Sequence, residues 1–150
     1  MASSLACLHY HFIFSTKGRA ALIARPVQER LYDYIGGIIK REKGALLTAG
    51  GTRDHVHLLA SLRPTPAVAD NLRKVKANSS KWVHTKFPGM LTFRWQDGYG
   101  AFAVSYSAVE QVRRYIERQE EHHRRMTFQE EFVAFLERHR VAYDPAYVWD

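Results

Sequence analysis

The order of extended and helical segments is the feature of this sequence that most constrains its fold. Apolar residues that alternate with polar ones predict strands, and apolar stripes with a helical repeat predict helices. Glycine, proline and capping residues bound each segment. In chain order, we predict a strand at 5–15, a helix at 26–43 and strands at 45–49 and 55–62. A second helix at 65–86 and a strand or hairpin at 93–105 follow. Two more helices are predicted, from Ser107 to about residue 125 and from Thr127 to residue 140.

The β-α-β-β-α-β order is that of the split βαβ, or ferredoxin-like, arrangement. We therefore expect an α+β fold in which two helices cover one face of an antiparallel sheet. The other face should stay open unless a further element covers it. The third helix should lie near this open face, with Ser107 as its N-cap and Glu110 completing a capping box.

Composition narrows the class of protein. A chain of 150 residues without repeats or linkers predicts one domain over 1–150, with 126–150 as a C-terminal helical extension. A net charge of +7 favours a nucleic acid partner, although a solvated basic surface explains it equally well. The single cysteine, Cys7, excludes an intrachain disulfide and is typical of a reducing cytosol. The sequence has no run of the ~20 apolar residues that a membrane helix needs. Residues 1–4 lack the basic region of a signal peptide, so we expect a cytoplasmic protein without a membrane partner.

Two histidines in the predicted strand 55–62 form the first candidate site. Alternation places four apolar residues on the face against the helices and puts His55 and His57 on the other face. Two strand rises separate them by ~6.7 Å, which lets both imidazoles reach one ion at ~2.1 Å. His9 and His11 repeat this spacing in the first strand, which neighbours the third in such a sheet. Either pair could bind a metal, and a polar sheet face without any metal also explains both.

A tyrosine on the third predicted helix forms the second candidate site. Tyr115 and Gln119 are four residues apart, about 40° around a helix axis, so both can meet one small site. His122 and His123 continue along this side one turn later. Taken alone, Tyr115 is explained as well by a core aromatic. With pKa ~10 a phenol is a poor nucleophile, and a divalent cation can polarise a scissile phosphate. Together the two sites form a coherent arrangement for phosphoryl transfer.

These stretches resemble a known family. Residues 54–59, Asp-His-Val-His-Leu-Leu, resemble the His-hydrophobic-His motif of the HUH nucleases. Residues 115–119, Tyr-Ile-Glu-Arg-Gln, resemble the nucleophile helix of the single-tyrosine transposases in that superfamily, the TnpA-like enzymes of bacterial insertion sequences. The likeness extends over most of the chain, through residues 11–17, 79–82 and 95–102.

The resemblance implies a metal-dependent transposase that cleaves and rejoins single-stranded DNA at hairpin-bearing ends. His55, His57 and Gln119 would ligate Mg²⁺ or Mn²⁺, so the resemblance favours this histidine pair over the other. Tyr115 would attack the phosphodiester and leave a 5′-phosphotyrosine and a free 3′-hydroxyl. Family members are homodimers in which the tyrosine helix of one subunit can complete the site of the other. The DNA would be that of the nucleoid. Residues that could support the site are His9, His11, His122 and His123.

The chain departs from the shortest family members in continuing over residues 120–150. This tail resembles relatives that include the repeat-associated (REP) tyrosine transposases. The sequence therefore fits a transposase that moves its own element and a domesticated hairpin processor equally.

Basic residues in the loops and on the second helix are candidate phosphate contacts, although solvated surface explains most single cations. The candidates are Lys17, Arg19, Arg53, Arg73, Lys74, Lys76 and Lys81. Tyr99 could stack on a base, whereas Trp95 fits a core position better. Two other functions remain open. The chain could be a non-catalytic module that binds single-stranded RNA or DNA hairpins, or a metal-dependent hydrolase that uses water as its nucleophile.

Overall fold

The computed structural model describes residues 4–150 and contains one four-stranded antiparallel sheet. Residues 1–3, on which part of the signal-peptide argument depends, lie outside the described residues. The strands are β1 His9–Ser15, β2 Ala45–Gly51, β3 His55–Ser61 and β4 Gly100–Val104, in the spatial order β2-β3-β1-β4. The helices are α1 Arg25–Arg41, α2 Val68–Lys86, α3 Val109–Glu117, α4 Gln119–His122 and α5 Phe128–Arg138. The predicted split βαβ arrangement is confirmed.

Helices α1 and α2 cover the first face of the sheet, as the alternation in β3 predicts. Val56, Leu58 and Ala60 are fully buried there among apolar side chains of both helices. Each large apolar side chain buried this way contributes roughly 1.5–3 kcal/mol to folding. The same alternation turns His55 and His57 to the second face, so the main core fixes the direction of both rings.

The second face is covered rather than open, which corrects the expectation from sequence. Ile13 of β1 packs with Phe128 and Phe132 of α5, and Leu59 of β3 packs with Ile116 of α3. Helix α5 begins where Thr127 predicts, because Thr127 and Glu130 form a complete capping box. The C-terminal helix is therefore part of the packed sheet. Within residues 4–150, no helix is both long enough and apolar enough to span a membrane.

The third helix differs from its prediction in two ways. The predicted Ser107 cap is wrong, since Ala108 is the N-cap and the Ser107 hydroxyl lies 3.2 Å from that of Ser105. The helix is also not continuous to residue 125. It is interrupted at Arg118, whose φ of −106° and ψ of 23° separate α3 from α4.

The loop before β4 holds less strand than predicted. Of the predicted segment 93–105, the strand covers Gly100–Val104, and an isolated bridge joins Trp95 to Thr16. Trp95 is 6% exposed and packs edge-on against Phe14 and Phe93, so its predicted core position is confirmed.

Candidate metal centre and tyrosine site

The histidines of β3 lie between the sheet and the C-terminal helices. His55 and His57 are fully buried, with ring centroids 5.2 Å apart. His11 of β1 lies on the same face, and its Nε2 is 2.7 Å from Nδ1 of His57. His9 lies at the start of β1 beside Tyr106, with ring centroids 6.1 Å apart, and does not reach the cluster. The pairs His9/His11 and His55/His57 are therefore not equivalent. His11 contacts Nδ1 of His57, and His9 takes no part in the cluster.

Gln119 reaches the histidine pair despite the interruption of its helix. Its Oε1 lies 3.1 Å from Nε2 of His55 and 2.9 Å from Nε2 of His123. The side chain of Gln119 is almost completely buried. The two predicted partners from β3 and the third helix thus meet at one point, together with His123 from just beyond α4.

A buried carboxylate that the sequence analysis missed lies at the centre of the cluster. Glu131 of α5 is 1% exposed, and its Oε1 lies 2.8 Å from Nε2 of His57 and 3.1 Å from Nε2 of His123. Its other oxygen accepts a hydrogen bond from the Gln119 amide at 3.2 Å. The sequence does contain a sign of this buried carboxylate. Phe128, Glu131 and Phe132 lie on one side of the helix, so Glu131 is an acid within an apolar helical stripe.

Tyr115 of α3 lies at the edge of the same cluster. Its hydroxyl donates a short hydrogen bond to Oε2 of Glu131 and is 3.3 Å from Nε2 of His122. Its ring centroid is 5.9 Å from that of His57. Tyr115 and Glu131 line a cavity of about 410 Å³, so a molecule that enters this cavity would contact the phenol. The structure therefore brings Tyr115, His55, His57 and Gln119 together, as the sequence predicts.

Burial and mutual contact determine the charges of the cluster. Burial lowers the pKa of His57 to about 4, although Glu131 opposes this, and burial with the proximity of His57 lowers the pKa of His11. Burial alone would raise the pKa of Glu131, but hydrogen bonds from His123 and His57 hold it well below its usual range. Burial, reinforced by the Glu131 contact, raises the pKa of Tyr115. Burial alone would lower the pKa of His123, but the hydrogen bond to Glu131 and its charge raise it. At neutral pH the site therefore presents a neutral His57, one carboxylate and a protonated phenol.

The donor atoms are close enough together to hold a metal ion. One ligand atom from each of His55, His57, His123 and Glu131 lies within 4.8 Å of the others. Neutral imidazole nitrogens and a carboxylate oxygen are ordinary ligands for divalent metals. His55 is also oriented from behind, since Asp54 Oδ1 lies 2.8 Å from its Nδ1. A carboxylate behind a metal-binding histidine is a common arrangement.

The predicted phosphate contacts divide into two groups by position. Lys17, Arg19 and Arg53 lie in adjacent loops at the His55 end of the sheet, where the Thr16 amide donates to the Asp54 carbonyl at 2.8 Å. The remaining candidates, Arg73, Lys74, Lys76 and Lys81, lie on α2 over the other face.

Three of the α2 cations have partners within the chain, and Arg73 pairs with Asp70 at 3.5 Å. Lys74 pairs with Glu42 at 2.9 Å, and Lys76 donates to the carbonyls of Asp97 and Gly98 at 2.8 and 2.9 Å. Burial lowers the pKa of Lys76. Tyr99, the candidate for base stacking, is 37% exposed beside it. DNA binding by the seven basic residues stays a prediction.

Comparison with known proteins gives consistent matches. The family described as IS200-like transposases matches residues 4–119. The ISDra2 transposase TnpA of Deinococcus radiodurans is 28% identical over 117 residues, which cover 75% of this chain and 84% of that protein. A crystallised candidate transposase from Deinococcus radiodurans R1 superposes with a TM-score of 0.66 at 26% identity, covering 79% of this chain and 95% of the other.

A REP-associated tyrosine transposase bound to a REP hairpin has a TM-score of 0.55, with 77% of this chain and 70% of the other covered. Its 14% identity supports a likeness of fold alone. The family match ends at residue 119, so His123 and Glu131 lie beyond the matched residues.

Proposed function

The chain belongs to the family of IS200-like transposases, and from that premise we propose that it cleaves and rejoins single-stranded DNA through a covalent 5′-phosphotyrosine. The observation that carries this proposal is the meeting of Tyr115 with His55, His57 and Gln119 in one buried cluster beside a cavity. A tyrosine needs an electrophile activated by a neighbouring cation, and this cluster supplies ligands for one.

Tyr115 is the proposed nucleophile. Its oxygen bonds to the scissile phosphorus as the phenolic proton leaves, the bond to the preceding 3′ oxygen breaks, and that oxygen takes up a proton. Rejoining is the reverse reaction with a new 3′-hydroxyl. The raised pKa of Tyr115 keeps the phenol protonated in the resting chain, so its reactivity depends on how the site changes when DNA binds.

A divalent ion, Mg²⁺ or Mn²⁺, would be held by His55, His57 and Gln119. When bound it polarises the scissile phosphate and offsets the charge that develops on the leaving oxygen. The chain prepares its ligands in advance, because burial keeps His57 neutral and Asp54 orients His55 through its Nδ1.

The proposed substrate is a single strand with hairpins, and the proposed setting is nucleoid DNA in the cytoplasm. The likeness of fold to a transposase that binds a REP hairpin supports this choice of substrate. Lys17, Arg19 and Arg53 at the His55 end of the sheet are the best-placed phosphate contacts for a strand that enters the site.

We propose that residues 1–150 act as one domain, because α5 packs on the sheet and carries Glu131 into the cluster. We further propose a homodimer, by resemblance to the family. Each site would be complete within one chain, since Tyr115 reaches the cluster of its own chain.

A denaturing gel tests the function directly. The purified chain is incubated with Mn²⁺ and a labelled single strand that carries the hairpins flanking its own gene. We expect a covalent protein–DNA adduct from the native chain and none from Tyr115→Phe, which should still bind the strand. The matched control is Tyr106→Phe, since Tyr106 is 76% exposed. An adduct from Tyr115→Phe would remove Tyr115 as nucleophile. Protein-free 5′-phosphate products would indicate a hydrolase, and binding without cleavage a passive module.

A further inference from the structure

The segment beyond the family match contributes two side chains to the cluster. His123 follows α4, and Glu131 lies on the first turns of α5. We propose that both are metal ligands in addition to His55, His57 and Gln119. Three imidazoles and one carboxylate, with the Gln119 oxygen beside them, then hold the ion, and the site selects a transition metal over Mg²⁺. This inference rests on the metal ion of the proposed function and specifies which residues and which kind of ion complete it.

The orientation of the three rings supports this assignment. Each ring has its Nδ1 bonded to a fixed partner: Asp54 Oδ1 for His55 at 2.8 Å, His11 Nε2 for His57 at 2.7 Å, and the Met126 carbonyl for His123 at 2.7 Å. A carboxylate and a carbonyl can only accept, so His55 and His123 carry a proton on Nδ1. With Nδ1 protonated, each of these rings can coordinate a metal only through Nε2, which gives up any proton it carries when the metal binds.

All three Nε2 atoms converge on one oxygen. Oε1 of Glu131 lies 2.8, 3.1 and 3.8 Å from Nε2 of His57, His123 and His55, and the Gln119 oxygen lies beside two of them. In the metal-free chain the two shorter contacts are hydrogen bonds to the carboxylate. A cation that displaces those protons would be coordinated by the same nitrogen and oxygen atoms. The four residues are also 90% or more buried in their side chains, so water screens these interactions little.

The ligand set decides the kind of ion. Mg²⁺ prefers oxygen ligands and keeps several of its bound waters. A buried site with three imidazole nitrogens supplies few oxygen ligands and leaves little room for those waters. Imidazole ligands favour first-row transition metals, whose affinities generally rise from Mn²⁺ through Co²⁺, with Zn²⁺ also above Mn²⁺. Of the two ions in the proposed function, the site should therefore select Mn²⁺.

Titration calorimetry on the full chain without DNA tests the inference. We expect Mn²⁺ to bind at least about 100-fold more tightly than Mg²⁺, and Co²⁺ more tightly still. His123→Ala and Glu131→Gln should each weaken Mn²⁺ binding at least tenfold, because even second-shell partners of metal ligands contribute that much. The matched controls are His139→Ala and Glu137→Gln, which remove the same groups from exposed positions on or just after α5 and should bind as the native chain does.

The outcomes separate this inference from the proposed function. If His57→Ala loses Mn²⁺ while His123→Ala and Glu131→Gln retain it, the inference fails and the proposed function stands. If the ligand variants lose Mn²⁺ but the native chain forms no DNA adduct, the proposed function fails and the inference stands. Should a variant fail to fold, a crystal structure of the native chain with Mn²⁺ decides. Direct bonds from the ion to His123 and Glu131 would support the inference, and water in their place would overturn it.

Discussion

Replacing Gly50 with alanine should disable the tyrosine while leaving the histidines in place. A Cβ built on Gly50 of β2 would lie 2.2 Å from the carbonyl oxygen of Ile116, the residue after Tyr115 in α3. Carbon and carbonyl oxygen in contact lie roughly 3.3 Å apart, so the backbones of α3 and β2 must move apart by about 1 Å. The obstacle is helix backbone rather than a flexible side chain, so a rotamer change cannot relieve it. Because Tyr115 precedes Ile116 in α3, we expect this separation to shift Tyr115 relative to the sheet that carries the histidines.

The expected loss follows from this displacement. A misplacement of about 1 Å at a reacting group can cost on the order of 100-fold in rate. Overpacking of this kind also destabilises by ~1–3 kcal/mol, and each kcal/mol lowers the Tm of a chain of this size by roughly 2–4 °C. We therefore expect Gly50→Ala to remain folded at room temperature with a strongly reduced rate of adduct formation.

The assay is single-turnover formation of the covalent adduct, measured beside thermal unfolding. Gly37→Ala is the matched control, because Gly37 is exposed in α1 and a Cβ there meets nothing within 4 Å. That control should keep the native rate and gain up to ~1 kcal/mol of stability from its better helix propensity. A native rate in Gly50→Ala, or an equal loss in both variants, would refute the argument that Gly50 sets the position of α3.

Two further predictions concern the same cluster. Mixing His57→Ala with Tyr115→Phe should restore no adduct, because each chain's tyrosine reaches its own histidines; recovery on mixing would show that the tyrosine acts in the partner's site. The second prediction is a loss of stability in acid. The pKa of His57 is about 4 in the folded chain, below the pKa of a histidine in the unfolded chain, so the unfolded chain takes up the proton first as pH falls. In the metal-free chain His57 should therefore reduce the free energy of unfolding by about 3 kcal/mol between pH 7 and pH 4. Urea denaturation at several pH values measures this loss, and His57→Gln should reduce it; the same loss in that variant would assign it to other groups.

The histidine strand could be predicted because its geometry is local. Side chains alternate along any strand, so the apolar face of β3 determines where His55 and His57 point before any tertiary contact is known. The start of α5 could be predicted for the same reason, since Thr127 and Glu130 satisfy each other within one turn. Such features depend on spacing within a few residues, which the sequence displays directly.

The cover over the second face could not be predicted in this way. It depends on contacts between Ile13 in β1 and Phe132 in α5, which are far apart in the chain. Apolar residues on the face assumed open, Ile13 and Leu59 among them, were the available sign that something packs there. The interruption at Arg118 also has no local breaker, as neither glycine nor proline is present at that point.

Glu131 of α5 and the histidines that it contacts depend on each other for their positions. An acid placed between Phe128 and Phe132 on a buried helical stripe is costly, since an unpaired buried charge destabilises by several kcal/mol. The helix can pack on the sheet because His57 and His123 lie at the place where the carboxylate arrives. The histidines in turn keep their rings directed at one point because the helix covers them. A truncation before α5 would therefore expose the apolar face and remove Glu131 from the cluster at the same time, and so the C-terminal segment belongs to the site as much as to the fold.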